Sequence, residues 1–292
     1  MFTQTHQPGE TMTSRRIIAW WLFGAVATAI GVSLNLAAGR MPGSEAFGAE
    51  DVVDAVGGLA IGGLGVLLLL HGVAAGLGRA LLASSVLHGG VWLTGGLADA
   101  IAHGQPHPPW PARALDVLNG VLFIPAFVLV VLAPLLLFPT GRLPSRRWRV
   151  VGWLAVGGTI GSMVGTLVAP GPVDEDVPAW GTNPFGIDGL DGFSDALQGA
   201  GLIAVLVAAV AGIAAIVVRL ITLRGVQRRQ MWWFVVLIAP VIATIAIDTD
   251  GLIPGALSAV ILFALMLGAI GYPLLGRPAS SPDPESGATA VI

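Results

Sequence analysis

The sequence ALDVLNGVLFIPAFVLVVLAPLLLF, residues 114–138, contains a single charged residue, Asp116, in 25 positions, and it indicates the fold class most clearly. An α-helix rises 1.5 Å per residue, so about 20 apolar residues cross the roughly 30 Å hydrocarbon core of a bilayer. Within lipid the backbone must satisfy its own hydrogen bonds, and this stretch lacks the alternating apolar and polar positions of a barrel strand. It therefore predicts a transmembrane α-helix.

The rest of the chain repeats this pattern. Its 292 residues are 55% hydrophobic and 11% charged, whereas soluble domains carry about 25% charged residues. Short polar breaks separate the apolar runs, which predict an all-α fold, a polytopic transmembrane helix bundle of about eight spans. The predicted spans are 17–38, 53–75, 80–102, 114–138, 150–170, 196–218, 231–247 and 252–275.

Three regions are predicted along the chain. Residues 1–14 are polar and lack signal-peptide features, so they are expected to be a disordered N-terminal tail before a retained first helix. Residues 15–277 are predicted to form the transmembrane helical domain. Residues 278–292 are rich in Pro, Ser and Ala without apolar periodicity, which predicts a disordered cytoplasmic tail.

Charge in the breaks predicts orientation. Basic loops stay in the cytoplasm, and an even number of spans with the N-terminus inside leaves only Arg40 and Arg113 on the outer side. Most acidic residues then lie on or near the outer side. We therefore expect a multi-pass protein of the plasma (cytoplasmic) membrane with both termini in the cytoplasm. The arginines predicted to face the cytoplasm are Arg15, Arg16, Arg79, Arg142, Arg146, Arg147, Arg149, Arg219, Arg224, Arg228, Arg229 and Arg277.

Several function classes are disfavoured by the sequence. It has no cysteine, which excludes disulfides and thiolate chemistry. It has no phosphate-binding glycine loop, zinc-protease helix or nucleophile elbow. We therefore expect no enzymatic activity, no cofactor and no metal site. Because the arginines flank apolar spans, anionic lipid headgroups are the expected partner and nucleic acid is not.

Two arginine-rich breaks are the candidate lipid-anchoring loops. Their guanidinium groups suit lipid phosphates, and tryptophan suits the membrane interface. The structural alternative is that they fix the topology and have no signalling role. The candidate anchoring residues are Arg142, Arg146, Arg147, Trp148, Arg149, Arg224, Arg228 and Arg229.

Two histidines in neighbouring spans form a candidate intramembrane polar pair. His71 and His88 are predicted to lie within about two helical turns in depth. Histidine titrates near neutral pH, so the pair would respond to protons. The alternative is two neutral imidazoles that bind nearby carbonyl groups.

Glycines cluster in two of the predicted spans. The second span has them at 57, 58, 62, 63 and 65, and the fifth has Gly157, Gly161 and Gly165 at four-residue spacing. Small residues allow membrane helices to approach closely. We expect packing within the bundle, with a homodimer seam as the alternative.

Three segments resemble a known family. LLFPTGRLPSRRWR at 136–149, NPFGI at 183–187 and RGVQRRQM at 224–231 are similar to loops in the membrane part of multi-pass sensor histidine kinases of GC-rich Gram-positive bacteria. In that family the first segment follows the fourth helix and the last precedes a helix. Thr140 and Trp232 depart from the family pattern, and no phosphoacceptor helix pair or ATP-binding domain follows residue 277.

The resemblance implies a non-catalytic sensory membrane module without its transmitter. Its expected partner is another membrane protein or a separate kinase. A small transporter or channel subunit is the alternative, although it would need a polar path through the spans. A decayed sensor kinase with no present role is a third possibility.

Overall fold

The computed structural model describes residues 13–38, 48–105, 107–173 and 180–247, and these ranges are helical without a β-strand. This confirms the predicted all-α class over the described part of the chain. The α4–α5 connection also contains a short 3-10 helix, Arg146–Trp148. The helices are α1 (Ser14–Ala38), α2 (Ala49–Leu70), α3 (Ala75–Ala102), α4 (Trp110–Leu137), α5 (Arg149–Val168), α6 (Asp191–Thr222) and α7 (Gly225–Ile247).

The first six helices are long and apolar enough to cross a membrane, so six of the predicted spans correspond to helices of the right kind. The seventh prediction, 231–247, falls inside α7, which is not among these six. The eighth, 252–275, and the tail from 278 lie outside the described residues. The predicted number of about eight spans is therefore not confirmed.

The predicted end of the second span is wrong. The second span was expected to continue to residue 75, but α2 ends at Leu70 and a turn follows. Gly72 has φ 65° and Ala74 has φ 47°. A right-handed helix cannot continue through positive φ angles, which explains the early end.

Helix α3 lies at the centre of one half of the bundle, in contact with α1, α2 and α4, and α5 packs closely on α6. Where α1 crosses α3, glycine meets glycine: a Cβ on Gly89 would overlap the backbone of Gly24, and one on Gly96 would overlap that of Gly31. The α1–α3 contact was not predicted, because its glycines lie seven residues apart on each helix and not at the four-residue spacing considered above.

The glycine face of α5 is partly as predicted. Gly165 packs tightly on α6, and Gly161 makes ordinary contact with Leu197. The third position is Gly158, whose Cβ would lie 2.7 Å from the Gly201 carbonyl oxygen, whereas Gly157 faces open space. A helix with 3.6 residues per turn places 158, 161 and 165 on one face.

The outer faces of the helices are apolar. Trp153 on α5 is 73% exposed, and Ile221 on α6 is 77% exposed. Contiguous apolar surface on this scale is unfavourable in water and is expected where a protein meets lipid.

Charge separates between the two ends of the bundle. Ile17 near the start of α1 packs with Val66 near the end of α2, so the N-terminal arginines share an end with the α2–α3 turn, the α4–α5 loop, the end of α6 and the start of α7. We call this the arginine-rich end. Among the described arginines, Arg113 alone lies at the opposite end, where it donates to the Thr182 carbonyl oxygen.

Candidate functional site at the arginine-rich end

At the end of helix α4, the backbone does not supply a hydrogen-bond donor for every carbonyl group. The last four carbonyl groups of a helix lack intrahelical partners and must find others. Phe138 N–H donates to Pro134 O at 3.1 Å, and Gly141 N–H donates to Leu137 O at 2.7 Å. Residue 139 is proline, which has no N–H to donate to Leu135 O. Leu135 O therefore needs a donor from elsewhere, and Leu136 O also accepts from a distant side chain.

Arg219, in the last turn of α6, supplies these donors. Its Nη1 donates to Leu135 O at 3.0 Å, and its Nη2 donates both to Leu136 O and, at 3.0 Å, to Arg142 O. The residue is 4% exposed. The fixed fork of the guanidinium suits several acceptors at once. One side chain thus fastens α6 to the end of α4 and to the loop behind it.

The α4–α5 loop folds back onto the α2–α3 turn. Gly141 has φ 72°, and a Cβ there would overlap the backbone of Ala74. A Cβ on Gly76 would in turn overlap the Gly141 carbonyl oxygen. Glycine is required at position 141 on both counts, because its backbone conformation is left-handed and its neighbour is main chain.

The start of α7 completes the junction. Phe138 and Phe234 are both fully buried and stack with ring centroids 4.5 Å apart. Met231 is also fully buried and belongs to the same cluster. The segment 224–231 was expected to precede a helix, but residues 225–231 form the first turns of α7. We call the assembly of Arg219, the loop 138–142, Met231 and Phe234 the arginine junction.

At the opposite end of the bundle, a side chain from the following loop caps the C-terminus of α5. The Asn183 side-chain amide donates to Ala169 O at 2.9 Å, to Leu167 O at 3.1 Å and to Thr166 O at 3.4 Å. Its Oδ1 accepts from Phe185 N–H at 2.9 Å. The NPFGI segment is therefore a cap for the preceding helix.

The candidate lipid-anchoring residues divide into two groups. The arginines among them are exposed, as a role in binding headgroups would require, and none lies in the buried part of the junction. Trp148 is half-buried and packs against the main core. The exposed arginines are Arg142, Arg146, Arg147, Arg149, Arg224, Arg228 and Arg229.

The two candidate histidines are not brought together. His71 lies beyond the end of α2, is exposed, and its Nδ1 is 2.8 Å from Leu67 O. His88 is level with the start of α2: its Nε2 lies 3.2 Å from Asp54 Oδ2 and accepts from Trp92 Nε1–H at 3.1 Å. His88 is thirteen residues into α3, about 20 Å of helical rise from the turn. The expected depth of two helical turns is therefore wrong.

The resemblance singled out the α4–α5 loop and the start of α7. Sequence reasoning missed Arg219, the residue that ties α6 to that loop. Arg219 was counted only as one more cytoplasmic arginine. The signal was the proline two residues after the end of α4, which predicts an unsatisfied carbonyl group without indicating its donor.

Comparison with protein-family models, with curated proteins and with solved structures finds no match for this chain. The class therefore follows from the fold itself. Within the described residues, six long apolar helices with exposed apolar outer faces indicate a multi-pass α-helical membrane protein.

Proposed function

We propose that this chain is a non-catalytic protein of the cytoplasmic membrane that acts as a sensory module, passing a change in its membrane helices to a partner at the arginine-rich end. The partner is another membrane protein or a separate kinase. The resemblance to sensor kinase membrane regions motivates the role, and the arginine junction supports it.

The single observation that carries the proposal is the connection of three elements through one loop. Arg219 ties α6 to the loop 138–142, and Phe234 of α7 stacks on Phe138 of that same loop. Packed interiors transmit displacement because they leave few voids. A shift of α6 along its axis would therefore move both the loop and the start of α7, where a partner would detect it.

The proposal places the arginine-rich end in the cytoplasm, which single-cysteine labelling tests. The chain has no cysteine of its own, so Arg147→Cys and Asp188→Cys each introduce one thiol, at opposite ends. In intact cells we expect a membrane-impermeant maleimide to label position 188 and to label position 147 only after lysis. The reverse pattern would overturn the orientation.

Signalling to a partner is tested by photocrosslinking in cells. A benzoyl-phenylalanine at position 232, exposed at the start of α7, is expected to capture one reproducible protein. The matched control is position 210, which is 68% exposed on the middle of α6. Arg219→Leu should reduce the capture from 232. The same adducts from both positions, or none from 232, would count against the sensory role.

A small transporter or channel is the alternative. It requires polar groups along a path, yet His71 and His88 lie far apart, and the His88 ring contacts Asp54 and Trp92. Ion or solute flux in vesicles that disappears in His88→Ala would favour transport over sensing.

A further inference from the structure

An apolar groove of about 480 Å³ runs between α4 and α5, within the size range of ligand pockets. On α5 it is lined by Gly152, Ala155, Val156 and Thr159, and continues to Met163. The tight contacts of α5 with α6 are made by its other side, through Gly158 and Gly165. The groove therefore opens on the side of α5 that α6 does not cover.

The depth of the groove matches one leaflet of a bilayer. Its lining extends from residue 152 to 163 on α5 and from 125 to 137 on α4. Eleven or twelve residues of helix rise about 17 Å, close to half of the roughly 30 Å hydrocarbon core. A hydrocarbon chain from one leaflet would fill this length.

The segment 143–152, which joins the two sides of the groove at its mouth, carries positive charge. Leu143 in the α4–α5 loop and Gly152 in the first turn of α5 line this end of the groove, and Leu143 Cδ1 lies 4.0 Å from where a Cβ on residue 152 would be. Between them in sequence are Arg146, Arg147 and Arg149, all exposed. Guanidinium groups bind phosphate in bidentate fashion.

We propose that this groove binds one acyl chain of an anionic phospholipid whose phosphate contacts Arg146, Arg147 and Arg149. The apolar lining accepts the chain, and the arginines at its mouth select the headgroup charge. The proposal rests on the membrane placement of the chain and not on its sensory role, so either can fail without the other.

The chain-binding part is tested with the full protein in nanodiscs containing phosphatidylglycerol that carries a photoactivatable diazirine on its acyl chain. Mass spectrometry should locate adducts on 125–143 and 152–163. In Gly152→Leu the new side chain enters the groove without meeting backbone, and we expect about a tenfold loss of adducts, as for excluding about two methylene groups. Gly157→Leu is the matched control, because residue 157 faces open space on the same helix, and should label as the unmodified protein does.

The headgroup part is tested with phosphatidylcholine that carries the same labelled chain. We expect several-fold weaker groove labelling than with phosphatidylglycerol, and loss of that difference in Arg146→Gln/Arg147→Gln/Arg149→Gln. Equal labelling by both lipids in the unmodified protein would overturn the role of the arginines. Adducts spread evenly over the outer faces of α1 and α6, or equal labelling of the two glycine variants, would overturn the groove as a lipid site. So would crosslinks showing that residues 252–275 of this chain occupy it.

Discussion

Helices α4 and α5 end with the same difficulty and solve it differently. Each ends two residues before a proline, at 139 and at 170, so each loses the backbone donor for one of its last carbonyl groups. At α4 the donor to Leu135 O is Arg219, more than 80 residues later in the chain, and at α5 the donor to Thr166 O is Asn183, 17 residues later. The end of α4 is thus capped by a side chain from the distant helix α6, and the end of α5 by a side chain from the loop that follows it.

Of the two contacts, only that at the end of α4 joins helices that are distant in the sequence. The amide of Asn183 satisfies α5 and fixes only its own loop, so it acts as a local cap. The guanidinium of Arg219 contacts the end of α4 and the loop beyond it, and it does so from α6. Burying a cation costs free energy unless its N–H groups are hydrogen-bonded. Arg219 therefore links α6 to α4 strongly only while its three acceptors stay in place.

Of the variants considered, Arg219→Leu should destabilise the protein most. The change removes three hydrogen bonds from a charged donor and leaves buried carbonyl groups without partners, so we expect a loss of about 3 kcal/mol in the free energy of unfolding. The measurement is unfolding in mixed micelles by SDS titration, followed by tryptophan fluorescence.

Two variants control this prediction. Arg219→Lys keeps the charge but not the fork, so it should lose an intermediate amount. Arg224→Leu removes an exposed arginine five residues further on and should change the unfolding free energy little. Equal losses for positions 219 and 224 would show that the junction is not a link.

A smaller effect is expected from Asn183→Ala at the other end. The amide is neutral and only part-buried, so its loss should cost about 1.5 kcal/mol. Asp188→Asn, an exposed change in the same loop, is the matched control and should be nearly silent. A cost for Asn183→Ala as large as that for Arg219→Leu would remove the distinction between a junction and a cap.

The sequence predicted the positions of six helices because apolar runs are matched to the bilayer, although α3 and α6 each begin five residues before their predicted spans. The two prolines could have predicted where carbonyl groups lack donors. It could not predict that Arg219 is buried while Arg224 is exposed, since both follow the same apolar run. That outcome depends on α6 packing beside α4. The prediction that His71 and His88 lie at similar depth was wrong for a simpler reason. His88 lies too many residues beyond the α2–α3 turn to be level with His71.

The smallest effect, and the sharpest comparison, is the coupling between positions measured by double-mutant cycles. Arg219 and Phe234 act on the same loop, so Arg219→Leu with Phe234→Ala should be non-additive by about 1 kcal/mol. Arg219 and Asn183 lie at opposite ends of α5, about 30 Å apart by its twenty residues, and their losses should add to within about 0.5 kcal/mol. Phe234→Ala that is additive with Arg219→Leu would mean that α7 rests on the loop independently of α6. The proposed relay would then lose its mechanical basis even if both residues stabilise the fold.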